Sequence, residues 1–168
     1  MTRNTEAGAP IATGAQPGKS LREMLVDAWR LVSCIEMDAE TGEIFLPMGQ
    51  HPEGLILYTP DGYMSAQLSS PEPHNFASGD MYHGTPEEYV AAGTSYLAYS
   101  GPYHVDEARR TVDHEMYVSL FPNWKGQRQV RIVKLDGDEL QLSTGKPTLF
   151  NGSLKTATIT WCRAHPNI

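Results

Sequence analysis

The chain has 168 residues, 40% hydrophobic and 20% charged, with a formal net charge of −7 and a pI of about 5.3. That length fits one domain whose core needs no disulfide or metal to hold it. The acidity excludes a phosphate-neutralising nucleic-acid face and docking on anionic membranes, and no apolar run approaches the ~20 residues a membrane-spanning helix needs.

Residues 1–19 are rich in Thr, Ala, Gly and Pro and predict a flexible tail without the apolar core of a signal peptide. Residues 20–168 are the predicted domain, and a reduced, cytoplasmic protein is the expectation. Ser20 and Glu23 fit a capping box, and Leu21, Met24, Leu25 and Ala28 fall at helical spacing, so a short helix is predicted to cap one end. From Trp29 the period becomes two: Trp29, Leu31, Ser33 and Ile35 share one strand face, and Arg30, Val32 and Cys34 the other. Leu55 to Thr59 and Gly62 to Leu68 make a hairpin around Pro60-Asp61-Gly62. A long polar loop follows, from Ser69 to Gly84. Thr85-Pro86-Glu87-Glu88 then opens a second helix, predicted to run to about Tyr99 and to stop near Gly101-Pro102; loop and helix together, Ser69 to Tyr99, are expected to pack beside the barrel as a candidate lid. Five further strands are predicted: Tyr103 to Asp106, Thr111 to Phe121, Gln129 to Leu135, Glu139 to Thr144 and Lys155 to Arg163, with Asp136-Gly137 as a hairpin turn. Counting the earlier three gives eight strands in meander order. The predicted fold is therefore all-β, an eight-stranded antiparallel barrel with a short N-terminal helix and one helix after the third strand.

Several blocks give the chain a family likeness. They are Trp29-Arg30-Leu31-Val32-Ser33, Gly54 to Ser65 with its Tyr-Thr-Pro-Asp-Gly-Tyr-Met core, Phe76 to Asp80, Thr85 to Tyr89, Ser100 to Tyr103, His114, Ser119-Leu-Phe121-Pro-Asn-Trp124, and Gln129-Val-Arg131. With these the chain resembles the lipocalin-like domain proteins of bacteria and fungi from about Leu25 to Arg163. The resemblance implies a ligand-holding barrel of the calycin type, used by some relatives for carriage and by others for cofactor-free cyclisation or isomerisation in natural-product pathways. It also implies that Trp29 on the first strand pairs with Arg163 on the last. Lipocalins prefer Gly two residues before that Trp, where this chain has Asp27.

Candidate chemistry centres on His114, which shares an apolar face with Val112, Met116, Val118 and Leu120. An inward imidazole is either an acid or base toward an enclosed substrate or a structural group bonded to a neighbouring Tyr or Gln. Arg131 shares a face with Gln129, Val133 and Leu135; facing inward it would hold a carboxylate, enolate or phenolate, while the alternation of Val130 and Ile132 leaves the outward alternative open. Tyr103 is the candidate hydroxyl beside them. Trp29, Tyr58, Tyr63, Met81, Tyr99, Met116, Phe121, Trp124 and Gln129 are the candidate ligand-binding residues, because aromatic and thioether surface with directed hydroxyls suits an oxygenated apolar molecule. Phe121 and Trp124 either line the mouth or plug it. Six scattered histidines show no ligand pairing, so no metal and no cofactor are expected, and Cys34 and Cys162 read as outward free thiols. The functional expectation is a cyclase or isomerase acting without cofactor on a polyketide- or terpenoid-like substrate. The alternatives are a non-catalytic carrier of a small hydrophobic or aromatic metabolite and a filled barrel with no ligand, and a homodimer remains open.

Overall fold

The structure, a computed structural model, describes residues 18–167. The tail expected over 1–19 lies outside them, apart from Gly18 and Lys19. The first helix, α1 (Leu21–Leu25), starts on the capping box: Ser20 Oγ accepts the Glu23 N–H at 3.2 Å, and the Glu23 carboxylate accepts the Ser20 N–H at 2.8 Å. The Glu107 carboxylate takes the next two free amides, those of Leu21 and Arg22, at 2.7 and 3.0 Å. With its N–H groups satisfied, the helix buries Leu21 and Leu25 against the barrel, and the Trp29 indole N–H donates to the Leu25 carbonyl at 2.9 Å. One end of the barrel is thereby sealed.

The strands follow as β1 (Asp27–Asp38), β2 (Ile44–Phe45), β3 (Glu53–Tyr58) and β4 (Tyr63–Ser69). After the helix α2 (Pro86–Thr94) come β5 (Tyr96–Asp106), β6 (Thr111–Glu115), β7 (Val118–Ser119), β8 (Arg128–Asp136), β9 (Glu139–Thr144), β10 (Thr148–Phe150) and β11 (Ser153–Arg163). Eight of them close an antiparallel ring in the order β1-β3-β4-β5-β6-β8-β9-β11 and back to β1. The short strands β2, β7 and β10 are additions on β1, β5 and β11. The predicted barrel and its strand order are thus present, with three rim strands beyond the expected eight. The Thr59-to-Gly62 turn needs Gly62 at φ +98°, which a side chain rarely tolerates.

The ring closes where β1 meets β11. Trp29 lies opposite Arg163, whose guanidinium sits 4.2 Å from the centre of the indole ring. Asp27, where the resemblance leads one to expect Gly, receives a hydrogen bond from Arg163 at 2.6 Å, and Asp138 receives another at 2.9 Å. The departure from the usual residue therefore helps to fix the closing Arg. Arg163→Ala should lower the unfolding free energy by about 1–2 kcal/mol, read from urea denaturation.

Three expectations need correction. The second helix ends at Thr94, and Tyr96, Leu97 and Tyr99 belong to β5; Leu97, Tyr99, Gly101 and Tyr103 alternate toward the interior, and this period of two outweighs their weak helical spacing. The predicted strand from Thr111 to Phe121 breaks after Glu115 and resumes only as the two residues of β7. In β1 the pairing slips between Leu31 and Ser33, leaving Val32 as an extra residue. That bulge reverses the face of everything after it, so Cys34, expected outside, is buried inside. Ser65 and Gln67 point outward, bonded to one another and, through Ser65, to Ser100, while Met64, Ala66 and Leu68 fill the interior.

Candidate functional site

The barrel is packed solid from its sealed end to its middle. Trp29, Trp161, Tyr103, Leu140 and Ile56 fill the lower layers at near-zero exposure. Above them lies a polar layer. His114, on β6, is fully buried, and its Nε2 makes a 2.7 Å hydrogen bond with the Tyr58 hydroxyl from β3. The neighbouring rings of Tyr58 and Tyr99 stand 5.7 and 5.9 Å from the imidazole, centre to centre. Burial, reinforced by the Arg131 charge, pushes the His114 pKa down to about 3 from its usual 6.5. The imidazole is therefore neutral at physiological pH, and its Nδ1 has no hydrogen-bond partner among the described residues. Burial likewise raises the phenols of Tyr58 and Tyr99, with Arg131 acting against the shift.

Above this layer the barrel opens into a cavity of about 370 Å³, at the small end of the ~300–1,000 Å³ typical of small-molecule sites. Its floor is Tyr99 and Arg131; its sides are apolar, with Leu68 and Leu97 facing Leu142, Ala157 and Ile159. Phe121 and Trp124 stand over the mouth. Trp124 packs edge-to-face against Tyr99 at 5.9 Å and against Phe121 at 5.7 Å. Their position comes from the break after Glu115: the chain leaves the barrel wall, and Pro122 opens the tight turn that ends on Trp124. Glu36, the loop residues Pro47, Met48 and Asn151, and Thr148 at the start of β10 make the rest of the rim. The Cys34 thiol, also in the wall, is pushed up to about 12 by burial and by the Glu36 charge, which leaves it an unreactive thiol.

Of the residues singled out in sequence, Arg131, Tyr99, Phe121 and Trp124 meet at this cavity. His114 and Tyr58 lie directly behind its floor, and Met116 is buried in the core without lining it. Gln129 is half-buried next to Arg131, with its Oε1 at 3.5 Å from the guanidinium. Trp29 is at the sealed end, as is Tyr103, whose hydroxyl donates to the Thr59 carbonyl at 2.9 Å. Tyr63 and Met81 are exposed, 57% and 68%, and neither reaches the cavity. None of the α2 residues lines it either. Among the described residues no three His, Cys, Asp or Glu side chains gather as a metal site would require, and no helix is long and apolar enough to cross a membrane. Sequence reading missed Cys34 and Glu36 because the bulge at Val32 hides their phase. It also passed over Leu142, Thr144 and Ala157, although the alternation Leu140, Leu142, Thr144 on β9 marks that inner face.

The family model of the lipocalin-like domain matches residues 26–164. The chain belongs to that family. This lipocalin-like protein is also 38% identical over 104 residues to the 4'-hydroxy-3'-methoxypropiophenone carrier protein ppsC of Aspergillus oryzae, an alignment that spans 58% of this chain and 94% of that protein. Barrel and relative together support binding of a small hydrophobic molecule, and they favour carriage over the cyclase or isomerase expected from sequence.

Proposed function

We propose that the protein is a non-catalytic carrier for a small, oxygenated aromatic molecule of the aryl-ketone kind. One observation carries this reading: the mainly apolar cavity presents a single deep charged anchor, Arg131, beside the Tyr99 phenol, and no acid–base pair converging on one point. Catalysis of cyclisation or isomerisation would need a second group placed to move a proton. His114, the best candidate, is held behind the floor by Tyr58 and stays neutral. A flat ring can lie in the cavity against the contiguous aromatic surface of Tyr99, Trp124 and Phe121, with an oxygen on the guanidinium; such rings gain area burial and edge-to-face contacts. The carrier relative binds, by its name, a ligand of this chemistry.

Titration with 4'-hydroxy-3'-methoxypropiophenone, followed by tryptophan fluorescence, tests the proposal. Saturable 1:1 quenching is expected, with Trp124→Ala, which removes the cavity reporter and is therefore read by calorimetry, weakening affinity about tenfold, equivalent to ~1.4 kcal/mol. Mass spectrometry of the released ligand should recover it unchanged. A ligand returned in altered form, with His114→Ala abolishing the change, would restore the cyclase or isomerase reading.

A further inference from the structure

Arg131 is the unusual group of the cavity. Its side chain is only 7% exposed, yet its partners are all uncharged: the Val130 carbonyl at 3.1 Å, the Gln129 amide oxygen at 3.5 Å and the Tyr99 phenol. No carboxylate pairs with it among the described residues. A buried guanidinium without a counter-charge is costly, and proteins normally pair it.

The groups facing it from the neighbouring strands supply no counter-charge. Tyr58 on β3 and Tyr99 on β5 are protonated phenols, Cys34 on β1 is a protonated thiol, and His114 on β6 is a neutral imidazole. Glu36 is on the same layer but far round the ring. Arg131 pairs with Thr144 on β9, Thr144 Oγ1 accepts the Ala157 amide of β11 at 3.0 Å, and Ala157 pairs with Glu36 on β1. Three strand spacings separate their backbones, and although both side chains line the cavity no ion pair joins them. Glu36 also has its own cationic neighbour in Lys155 on β11, whose ammonium donates to the Phe150 carbonyl at 2.5 Å. The floor thus carries one uncompensated positive charge in a mostly apolar chamber.

We propose that the barrel takes its ligand as an anion, a phenolate whose oxygen docks on Arg131, so that a phenol neutral in solution loses its proton to solvent on binding. The proposal rests on the carrier reading and adds the ionisation state and the group that selects it. The phenol O–H bond breaks, the proton goes to buffer, and the oxygen becomes the missing partner of the guanidinium. A fixed charge at contact lowers an acid's pKa by about 1–3 units in such surroundings.

The test uses 4'-hydroxy-3'-methoxypropiophenone and its 4'-O-methyl ether, which cannot ionise. Binding is read by tryptophan fluorescence and ionisation by the long-wavelength absorption band of the phenolate. The bound phenol is expected to titrate at least one pH unit below the free phenol, with proton uptake by the buffer on mixing, and the ether should bind at least tenfold more weakly. Arg131→Lys, which keeps the charge, should preserve the spectral shift. Arg131→Met should abolish it and bring phenol and ether to similar affinity, with circular dichroism confirming the barrel. Equal binding of phenol and ether to the unaltered protein, with the phenol spectrum that of the neutral form, would overturn the proposal and leave the carrier reading standing. Failure of both probes to bind would overturn both.

Discussion

Acidification from pH 6.5 toward pH 5 should destabilise the protein by up to about 1.4 kcal/mol per pH unit, and His114→Gln should remove most of that slope. The cause is the sealed imidazole. In the unfolded chain its pKa is near 6.5, and in the fold burial and Arg131 bring it to about 3. A group with a depressed folded pKa contributes its full stability above the unfolded value. As pH falls through the interval between 6.5 and about 3, the unfolded chain takes up a proton that the folded chain refuses. Stability therefore falls with pH until the folded value is reached. The upper part of the window isolates the effect, because carboxylates such as Asp38, drawn down to about 2 by backbone and side-chain hydrogen bonds, contribute only as pH nears their ordinary 3.8. Glu36 works in the opposite sense: burial raises its carboxyl above 4.5, so its contribution diminishes as pH rises and offsets part of the slope. Urea unfolding at half-unit pH steps gives the comparison directly. A flat profile from pH 6.5 to 5 would mean that His114 is protonated, or reachable by solvent, in the folded barrel.

His114 also shows what the sequence made legible and what it hid. Its place on an apolar face of period two was enough to put it inside, because a strand side chain has only two directions. The same rule placed Arg131 with Val133 and Leu135. It failed at Val32, where one inserted residue reversed the faces of Cys34 and Glu36, and no residue type announces such a bulge. It failed again around Tyr96 to Tyr99: Leu97 and Tyr99 suit a helix or a strand, and the choice was made by pairing with β4, a contact distant in sequence. The rim strands β2, β7 and β10 are two or three residues long, too short for any period to show. The cavity lies at that rim. Its floor and aromatic mouth were therefore readable from Arg131, Tyr99, Phe121 and Trp124, while its far wall was not.

Gly101→Ala should cost about 3 kcal/mol or more, near the top of the range for forced overpacking, even though Gly101 sits in a β-strand where alanine is usually harmless. Sequence reading took Gly101-Pro102 as a helix stop. In the fold it lies in the middle of β5, beside the place where β6 breaks. There the Glu115 carbonyl leaves the regular ladder and presses toward the β5 backbone, and the Tyr117 amide donates to the Ser100 carbonyl at 2.9 Å. A Cβ on residue 101 would stand 1.9 Å from the Glu115 oxygen and 2.8 Å from the Tyr117 nitrogen. Both are main-chain atoms, so no rotamer change relieves the clash; β5 and the Met116–Tyr117 segment must separate. That segment is tied on its other side by the Met116 amide to the Gln127 carbonyl and by the Gly126 amide to the Met116 carbonyl, at 2.9 and 2.7 Å. Moving it shifts the loop that carries Phe121 and Trp124 over the cavity. The substitution should therefore weaken ligand quenching of Trp124 fluorescence as well as lower the melting midpoint. A variant of unchanged stability would show that the strand pair accommodates a methyl group at residue 101. A loss of stability with affinity intact would show that the Phe121–Trp124 turn is positioned independently of this contact.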